Sequence, residues 1–418
     1  MEKELFRTII AESQEYIGRI HLVQRPLDLE EYGNYVFVGV RQAGKSYLLY
    51  QRIQQMLANG VDIEDIVYVN FDDERLQGMS VTDFDFILQA YHSMYESQPI
   101  FFFDEIQNVE GWENFARRLA NQKYHIYITG SNAKMLSRDI ETVLGGRYLD
   151  ISVFPYSFSE YLKAVGVLLS KNWQYGRKAN ELQRHFRTYF DWGGFPELVH
   201  FQEKRVWLNS LYNRIFFNDL VVRHKIKNED ALRLCVRRLA ESVKQPCSLN
   251  RLSNLIKATG TPCSPSTVME YVRYLQESCL LISIDNYVSK FVEKETIKKH
   301  YFVDNGLLHL FINNPNTSLL ENLCAITLYK KFGKSLYYYN RNIEVDFYVP
   351  DEGLAVQASY QMSDEETIER EVKALVALHG LHSLKRAMII TYEDEGEIVR
   401  DGLRIEIRPA WKWVLEGL

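Results

Sequence analysis

Residues 35–46 read YVFVGVRQAGKS, an apolar run that leads into a glycine-bearing loop, and this stretch decides how the first third of the chain folds. Residues 39–46 match the pattern GxxxxGK[ST] in full. The glycines of this pattern let the backbone curl so that its N–H groups point at phosphates, at the positive N-terminus of the next helix. The pattern is specific here because it follows a predicted strand and precedes a predicted helix from Ser46 to Leu57.

The loop predicts binding of a nucleoside triphosphate, ATP, together with Mg²⁺. Lys45 would supply positive charge to the β- and γ-phosphates, and the Ser46 hydroxyl would coordinate the metal. The predicted nucleotide-contacting residues are Gly39, Arg41, Gln42, Ala43, Gly44, Lys45, Ser46, Tyr47 and Asp104.

A second motif supplies the acidic half of the same chemistry. Phe101–Phe103 form an apolar strand that ends in Asp104 and Glu105. Asp104 would hold the Mg²⁺ shell through water, so the predicted metal residues are Ser46 and Asp104, and Glu105 would polarise the attacking water. Carboxylates at a strand end can instead cap the next element, but their pairing with the phosphate loop favours the catalytic interpretation.

Two later segments carry weaker candidates. A polar side chain after the fourth predicted strand would lie beside the γ-phosphate; Ser131 and Asn132 both qualify, and Asn132 joins Glu105 in the predicted catalytic set. The alternative is that both cap the next helix. Arg147 follows a Gly-Gly turn and would act as an arginine finger on a neighbouring subunit's phosphate, or else be a salt-bridged surface residue.

Composition sets the broad class. A chain of 418 residues exceeds one hydrophobic core, so two or three domains are expected. The net charge of −6 argues against a broadly basic nucleic-acid binder, and no apolar run is long enough to span a membrane. We therefore expect a cytoplasmic protein without a membrane partner. Five widely spaced cysteines indicate reduced thiols and no zinc site.

The order of elements predicts an α/β fold. Short apolar runs alternate with helical patterns in the first third, which indicates a parallel sheet covered on both faces. The five predicted strands are Tyr35–Gly39, Asp65–Phe71, Ile100–Phe103, His125–Thr129 and Leu149–Val153. The N-terminal 20 residues are predicted to form an amphipathic helix and not a targeting segment.

Several motifs in this order resemble a known family. GVRQAGKSYLL, FFFDEIQ, ITGSNA, GGRY and FPYSFSEYL, followed by DWGGFPE, NDLVVRHKI, YFVDNGLLH, NIEVDFYV and PAWKWVLE, are similar to bacterial and archaeal AAA+-type ATPases that carry a C-terminal domain of unknown function. The resemblance covers essentially the whole chain. It implies a P-loop NTPase core, a helical lid, a winged-helix element and a restriction-endonuclease-like α/β domain, at residues 1–155, 156–225, 226–298 and 299–418.

The middle of the chain has a helix-turn-helix outline. Asn250–Thr259 and Ser266–Glu277 are helical patterns separated by a glycine-bearing turn, and Leu280–Tyr287 is strand-like. The second helix offers only Arg273 as a cation. Lys290, Lys294, Lys298 and Lys299 would form a basic wing. DNA contact and protein packing both remain open, and packing is favoured.

The last domain resembles the PD-(D/E)xK nuclease core with two departures. Asp346 fits its first acid and Glu321 lies on the preceding helix, but Gln357 replaces the second acid and Ser359 stands at the lysine position. Loss of one preorganised electrostatic group commonly costs about 10²- to 10³-fold in rate. The departures favour a degenerate, structural or binding domain, unless a lysine from elsewhere in the fold restores the site.

Three functions are consistent with these patterns. The first is an ATPase whose nucleotide state drives a conformational or regulatory change of the C-terminal half, with a protein partner or a second copy of the chain. The second is an ATP-dependent nucleic-acid processing enzyme that uses the winged helix and the nuclease-like domain. The third is a nucleotide-gated module that rarely hydrolyses ATP.

Overall fold

A computed structural model describes residues 2–30, 32–136, 142–362 and 364–417. The chain divides into two compact units. The first comprises Met1–Phe154 with Glu277–Cys279, and the second comprises Pro155–Gln276 with Leu280–Leu418. The break at residue 154 lies one residue from the predicted end of the NTPase core.

The first unit is built on a five-stranded parallel sheet in the order β2-β3-β4-β1-β5. Its strands are β1 Asn34–Val38, β2 Ile66–Asn70, β3 Ile100–Asp104, β4 His125–Gly130 and β5 Tyr148–Ser152. Its helices are α1 Lys3–Ile17, α2 Lys45–Ala58, α3 Phe84–Tyr91 and α4 Trp112–Asn121. The α/β core with a parallel sheet is therefore confirmed, and each strand lies within two residues of its predicted bounds.

Apolar spacing explains how these elements pack. Strands β1, β3 and β4 are buried along almost their whole length, as expected for a parallel sheet covered on both faces. Helix α1 buries Phe6, Ile9, Ile10 and Ile17, which share one helical face. The N-terminal amphipathic helix is thus part of this unit's core.

The second unit begins with helices and continues into a helix-turn-helix. The helices are α5 Phe158–Ala164, α6 Gly176–Trp192, α7 Lys204–Arg214 with a π-helical extension Ile215–Val222, α8 Glu229–Glu241, α9 Leu249–Lys257 and α10 Pro265–Glu277. Helix α5 starts with a capping box in which Ser157 and Glu160 satisfy each other's backbone N–H groups. Ser248 caps α9 by accepting from the backbone N–H of Arg251 (3.2 Å).

A nine-stranded mixed sheet dominates the rest of the second unit, in the order β13-β14-β12-β11-β10-β9-β7-β8-β6. Its strands are β6 Cys247–Ser248, β7 Leu281–Asn286, β8 Ile297–Phe302, β9 Tyr337–Asn340, β10 Glu344–Val349, β11 Leu354–Ala358, β12 Arg386–Thr391, β13 Gly396–Arg400 and β14 Leu403–Pro409. Its helices are α11 Phe291–Thr296, α12 Asn305–His309, α13 Asn316–Phe332, α14 Glu365–His382 and α15 Ala410–Glu416.

The hairpin of the helix-turn-helix region is continuous with this sheet. Strands β7 and β8 pair antiparallel, and β7 also pairs with β9. The predicted boundary at residues 298 and 299 therefore falls inside β8. Among the described residues, no helix is long and apolar enough to cross a membrane.

Candidate functional site

The phosphate loop connects β1 to α2, and its backbone takes conformations that only some residue types adopt easily. Gly44 has φ +93° and caps α2, whose first residue is Lys45. Gln42 has φ +62°, a left-handed conformation that is sterically unfavourable for a residue with a Cβ. Gly39 lies so close to the Val153 carbonyl oxygen that a Cβ at this position would overlap it. The motif glycines thus serve close approach and backbone curl.

Lys45 is the central cation of the loop. The residue is 4% exposed, and its ammonium donates to the carbonyl oxygens of Gly39 and Val40 (3.2 Å each). It also lies 3.2 Å from Glu105 Oε1. Of the other predicted loop residues, Ala43 is buried, whereas Arg41 and Ser46 are partly exposed and Tyr47 is exposed.

Asp104 is a buried carboxylate held by three side-chain donors. Tyr68 donates to its Oδ2 (2.7 Å), Thr129 donates to its Oδ1, and Ser46 is also hydrogen-bonded to it. Burial, and then the neighbouring charge of Glu105, raise the pKa of Asp104 above its ordinary value, while these donors lower it. The carboxylate and hydroxyl oxygens of Asp104 and Ser46 are the kind of ligands that Mg²⁺ prefers, so this pair fits the metal.

Glu105 follows in a strained conformation, with φ +52°. Its backbone N–H donates to Thr129 Oγ1 (2.9 Å), and its Oε2 accepts from the Gln107 amide (2.5 Å). Burial alone would raise the pKa of Glu105, but the Lys45 ammonium and the Gln107 hydrogen bond lower it, and the net direction is downward. Glu105 is therefore held as a carboxylate, the form that accepts a proton.

The weaker candidates take different positions. Ser131 is buried beside Gln107, whose amide lies 3.3 Å from its Oγ. Asn132 Oδ1 accepts from the backbone N–H of Lys134 (2.9 Å), which is the capping contact considered as its alternative role. Arg147 is exposed and donates to the Gly145 carbonyl oxygen (3.4 Å). The structure thus brings Lys45, Ser46, Asp104 and Glu105 together, with Ser131 next to them.

A second polar cluster lies in the second unit around Lys299. The side chain is fully buried, and Nζ lies 2.9 Å from Asp346 Oδ1, 3.1 Å from Glu321 Oε1 and 3.5 Å from Glu344 Oε1. Burial alone disfavours the ammonium, but these carboxylates raise the pKa of Lys299 above its ordinary value and keep it charged. A cavity of about 510 Å³, lined by Glu321, Asp346, Gln357 and Glu371 among others, opens onto the cluster.

This cluster corrects the expectation of a basic wing and gives the contacts of Gln357 and Ser359, the two departures from the nuclease pattern. The predicted basic wing is wrong for Lys299, because the alternation of β8 turns that residue into the protein. Lys298 is partly exposed and pairs with Asp285 (2.8 Å). Gln357 keeps an oxygen near Asp346, but that oxygen accepts from the Asp346 backbone N–H (2.7 Å). Ser359 donates to the Gln361 carbonyl oxygen (3.1 Å).

Tyr68 and Gln107 are site residues that the sequence analysis did not single out, and Lys299 was predicted only as part of a basic wing. Gln107 carried a weak signal, since it lies two residues after Glu105. Lys299 also had one, because strand alternation places it on the same face as Tyr301, whose hydroxyl donates to Glu321 (2.8 Å). Tyr68 lies in an apolar run of β2 and gave no signal that distinguishes it from a core residue.

The fold and the site together define an α/β protein with a phosphate loop and an acidic strand end at one sheet edge. Residues 32–162 match the family model of an AAA domain, and residues 183–318 match a domain of unknown function (DUF8612). The AAA domain supports an ATPase at the level of the family.

Two curated relatives are similar over nearly the whole chain. An uncharacterized protein of Methanocaldococcus jannaschii is 31% identical, with coverage of 99% of this chain and 96% of the relative. An uncharacterized protein of Haemophilus influenzae is 30% identical, with coverage of 91% and 94%. The chain belongs to the family of these proteins.

Solved structures overlap the chain only partly. A Walker-type ATPase of Pyrococcus abyssi has a TM-score of 0.40 at 12% identity, with coverage of 74% of this chain and 95% of that chain. The Orc1 protein of Aeropyrum pernix, solved in complex with DNA, has a TM-score of 0.32 at 15% identity, with coverage of 78% and 94%. Overlaps at these scores do not assign a function.

Proposed function

We propose that the chain is a Mg²⁺-dependent ATPase whose nucleotide state drives a conformational or regulatory change of its C-terminal half. The observation that carries the proposal is the convergence of Lys45, Asp104 and Glu105. These residues come from the α2 N-terminus and the end of β3, and Glu105 Oε1 lies 3.2 Å from Lys45 Nζ. A cation for phosphates beside a carboxylate base is the arrangement that phosphoryl transfer to water needs.

Each residue has a distinct part in the proposed reaction. Gly39 to Tyr47 curl around the phosphates, and Lys45 neutralises their charge. Ser46 and Asp104 would hold Mg²⁺, which when bound neutralises phosphate oxygens. Glu105 accepts the proton of the attacking water, with Asn132 or Ser131 orienting that water. Arg147 is exposed, as an arginine finger that acts in a homo-oligomer requires.

ATP turnover by Lys45→Ala and Glu105→Gln, beside the wild type, tests the proposal. We expect Lys45→Ala to weaken ATP binding at least about 30-fold, because a buried charge partner of the phosphates is removed. Glu105→Gln should keep ATP bound and lower kcat by about 10²- to 10⁴-fold, because the base is lost. The surface substitution Lys163→Ala is the control and should leave both quantities unchanged. Turnover that persists in Glu105→Gln would contradict the assignment of the base.

Nucleic-acid processing is a second candidate because of Lys299. Ser359 stands where the nuclease pattern has a lysine, and Lys299 of β8 places an ammonium group next to Asp346 and Glu321 instead. Those two carboxylates are hard oxygen ligands that would hold Mg²⁺, which activates water when bound. DNA contact through the helix-turn-helix has less support, because β7 and β8 belong to the nine-stranded sheet, Lys299 is buried and Lys298 pairs with Asp285. A winged helix that packs against protein is therefore favoured.

Cleavage of single- and double-stranded DNA with Mg²⁺ or Mn²⁺ tests this candidate. We expect Asp346→Ala to abolish cleavage and Lys299→Met to lower it by about 10²- to 10³-fold. The exposed Asp351→Ala is the matched control. Wild type that cleaves neither substrate with either metal would refute a nuclease, and the cluster would then be a structural ion-pair network.

A further inference from the structure

Gln107 bridges the proposed catalytic base and the end of the neighbouring strand. It lies on a short 3-10 turn, Ile106–Asn108, that follows β3. Its amide nitrogen donates to Glu105 Oε2 (2.5 Å) and lies 3.3 Å from Ser131 Oγ, directly after β4. One side chain thus contacts both the carboxylate and the residue next to the expected γ-phosphate position.

The two oxygens of Glu105 are held by different partners. Oε1 pairs with Lys45, and Oε2 accepts from Gln107. Phosphates that engage the Lys45 ammonium compete with Oε1 for the same charge. When that pair weakens, the Gln107 amide still donates a hydrogen bond to the carboxylate, the Arg41 charge still acts on it, and Thr129 fixes the Glu105 backbone.

Gly130 makes room for this amide. An ideal Cβ on Gly130 would lie 2.6 Å from Gln107 Oε1 and would overlap Met135 Sδ. Gln107 Oε1 is buried and makes no hydrogen bond to the described residues. Among the described residues, the hydrogen bonds of this amide are therefore made through its nitrogen, to Glu105 and Ser131.

We propose that Gln107 is a positioning residue for ATP hydrolysis, which keeps the Glu105 carboxylate aimed at water once the phosphates engage Lys45 and couples it to Ser131. This inference rests on the proposed ATPase function. It assigns Gln107 a role in the hydrolytic step and none in nucleotide affinity.

The test compares Gln107→Met, which keeps the side-chain length and removes the donor, with the wild type. We expect kcat to fall by about 10- to 100-fold, as for loss of a hydrogen bond to a charged group. The Kd for a non-hydrolysable ATP analogue should stay within about 3-fold, since the side chains that the Gln107 amide contacts, Glu105 and Ser131, lie outside the phosphate loop. The exposed glutamine substitution Gln98→Met should leave kcat and Kd unchanged.

Gly130→Ala supplies a second variant. It should also lower kcat, and the double variant with Gln107→Met should lose less than the product of the two single effects, because both substitutions disturb the Gln107 amide, whereas the displacement of Met135 belongs to Gly130→Ala alone. If Gln107→Met has the same kcat as the wild type, this inference is wrong and the ATPase proposal stands. The inference is also wrong if Gln107→Met loses kcat and analogue affinity equally and has a lower Tm. No turnover by the wild type would overturn the ATPase proposal together with it.

Discussion

At the residue scale, the first unit concentrates its polar side chains at one sheet edge. Asp104, Thr129 and Lys45 are all buried, and each is hydrogen-bonded. A buried polar group costs free energy unless it is paired, so the contacts are mutually required. Glu105 is partly accessible, and Lys45 and Gln107 lower its pKa, so it stays in the carboxylate form.

Tyr68→Phe tests how strongly Asp104 depends on its partners. The substitution removes the hydroxyl that donates to Oδ2 and is also hydrogen-bonded to the Tyr50 hydroxyl (2.9 Å), so we expect the free energy of unfolding of the first unit to fall by about 2 kcal/mol. Amide hydrogen exchange in Ile100–Asp104 measures the change. Tyr124→Phe is the control, because that hydroxyl makes no hydrogen bond to the described residues. Equal protection in the two variants would show that the Asp104 contact contributes nothing.

At the element scale, β8 shows how one strand serves both a core and a cluster. Lys299 and Tyr301 point to the carboxylate cluster, while His300 is buried on the other face, with Nδ1 2.8 Å from Ser283 Oγ. Burial first, and then Lys298, lower the pKa of His300 to about 4, with Asp285 opposing them. The imidazole is therefore neutral in the folded protein.

This shift predicts a loss of stability in acid. The unfolded chain protonates His300 near its ordinary pKa of 6.5, and the folded chain only near 4, so stability is lost as the pH falls through this window. We expect the His300 contribution to fall by about 2 kcal/mol between pH 7 and pH 5. Urea unfolding at each pH, followed by tryptophan fluorescence, measures it.

His300→Gln is the matched variant for this effect. It removes the titration, so its loss of stability on acidification should be smaller than that of the wild type. Burial raises the pKa of Asp304 to about 6 and that of Glu321 to about 7, and both act in the opposite direction. They are common to both proteins, so the difference isolates His300. Identical pH profiles would refute the assignment.

At the scale of the whole molecule, the chain forms two compact units, whereas four domains were predicted from motifs and resemblance. The lid, helix-turn-helix and C-terminal residues share the second unit because strands from two of the predicted domains join one sheet. Domain boundaries depend on which strands pair, and sequence pattern does not specify pairing between distant segments. The four-domain assignment stays a prediction.

Local sequence patterns were sufficient to predict the strands of the first unit and the two motifs of its candidate site. The phosphate loop, the acidic strand end and the strands of the first unit follow from apolar runs, glycines and charged residues at fixed spacing. These features involve neighbours in the chain, so their geometry is set by backbone conformation over a few residues.

Contacts between distant segments were decided only by the tertiary structure. Tyr68 reaches Asp104 because β2 and β3 pair, and Lys299 reaches Asp346 although 47 positions separate them. In sequence, strand alternation gave Lys299 only a weak signal that separated it from Lys290, Lys294 and Lys298, which are exposed or partly exposed. Whether a charged residue is buried depends on the carboxylates that the fold places opposite it, because only paired charges are retained in a protein interior.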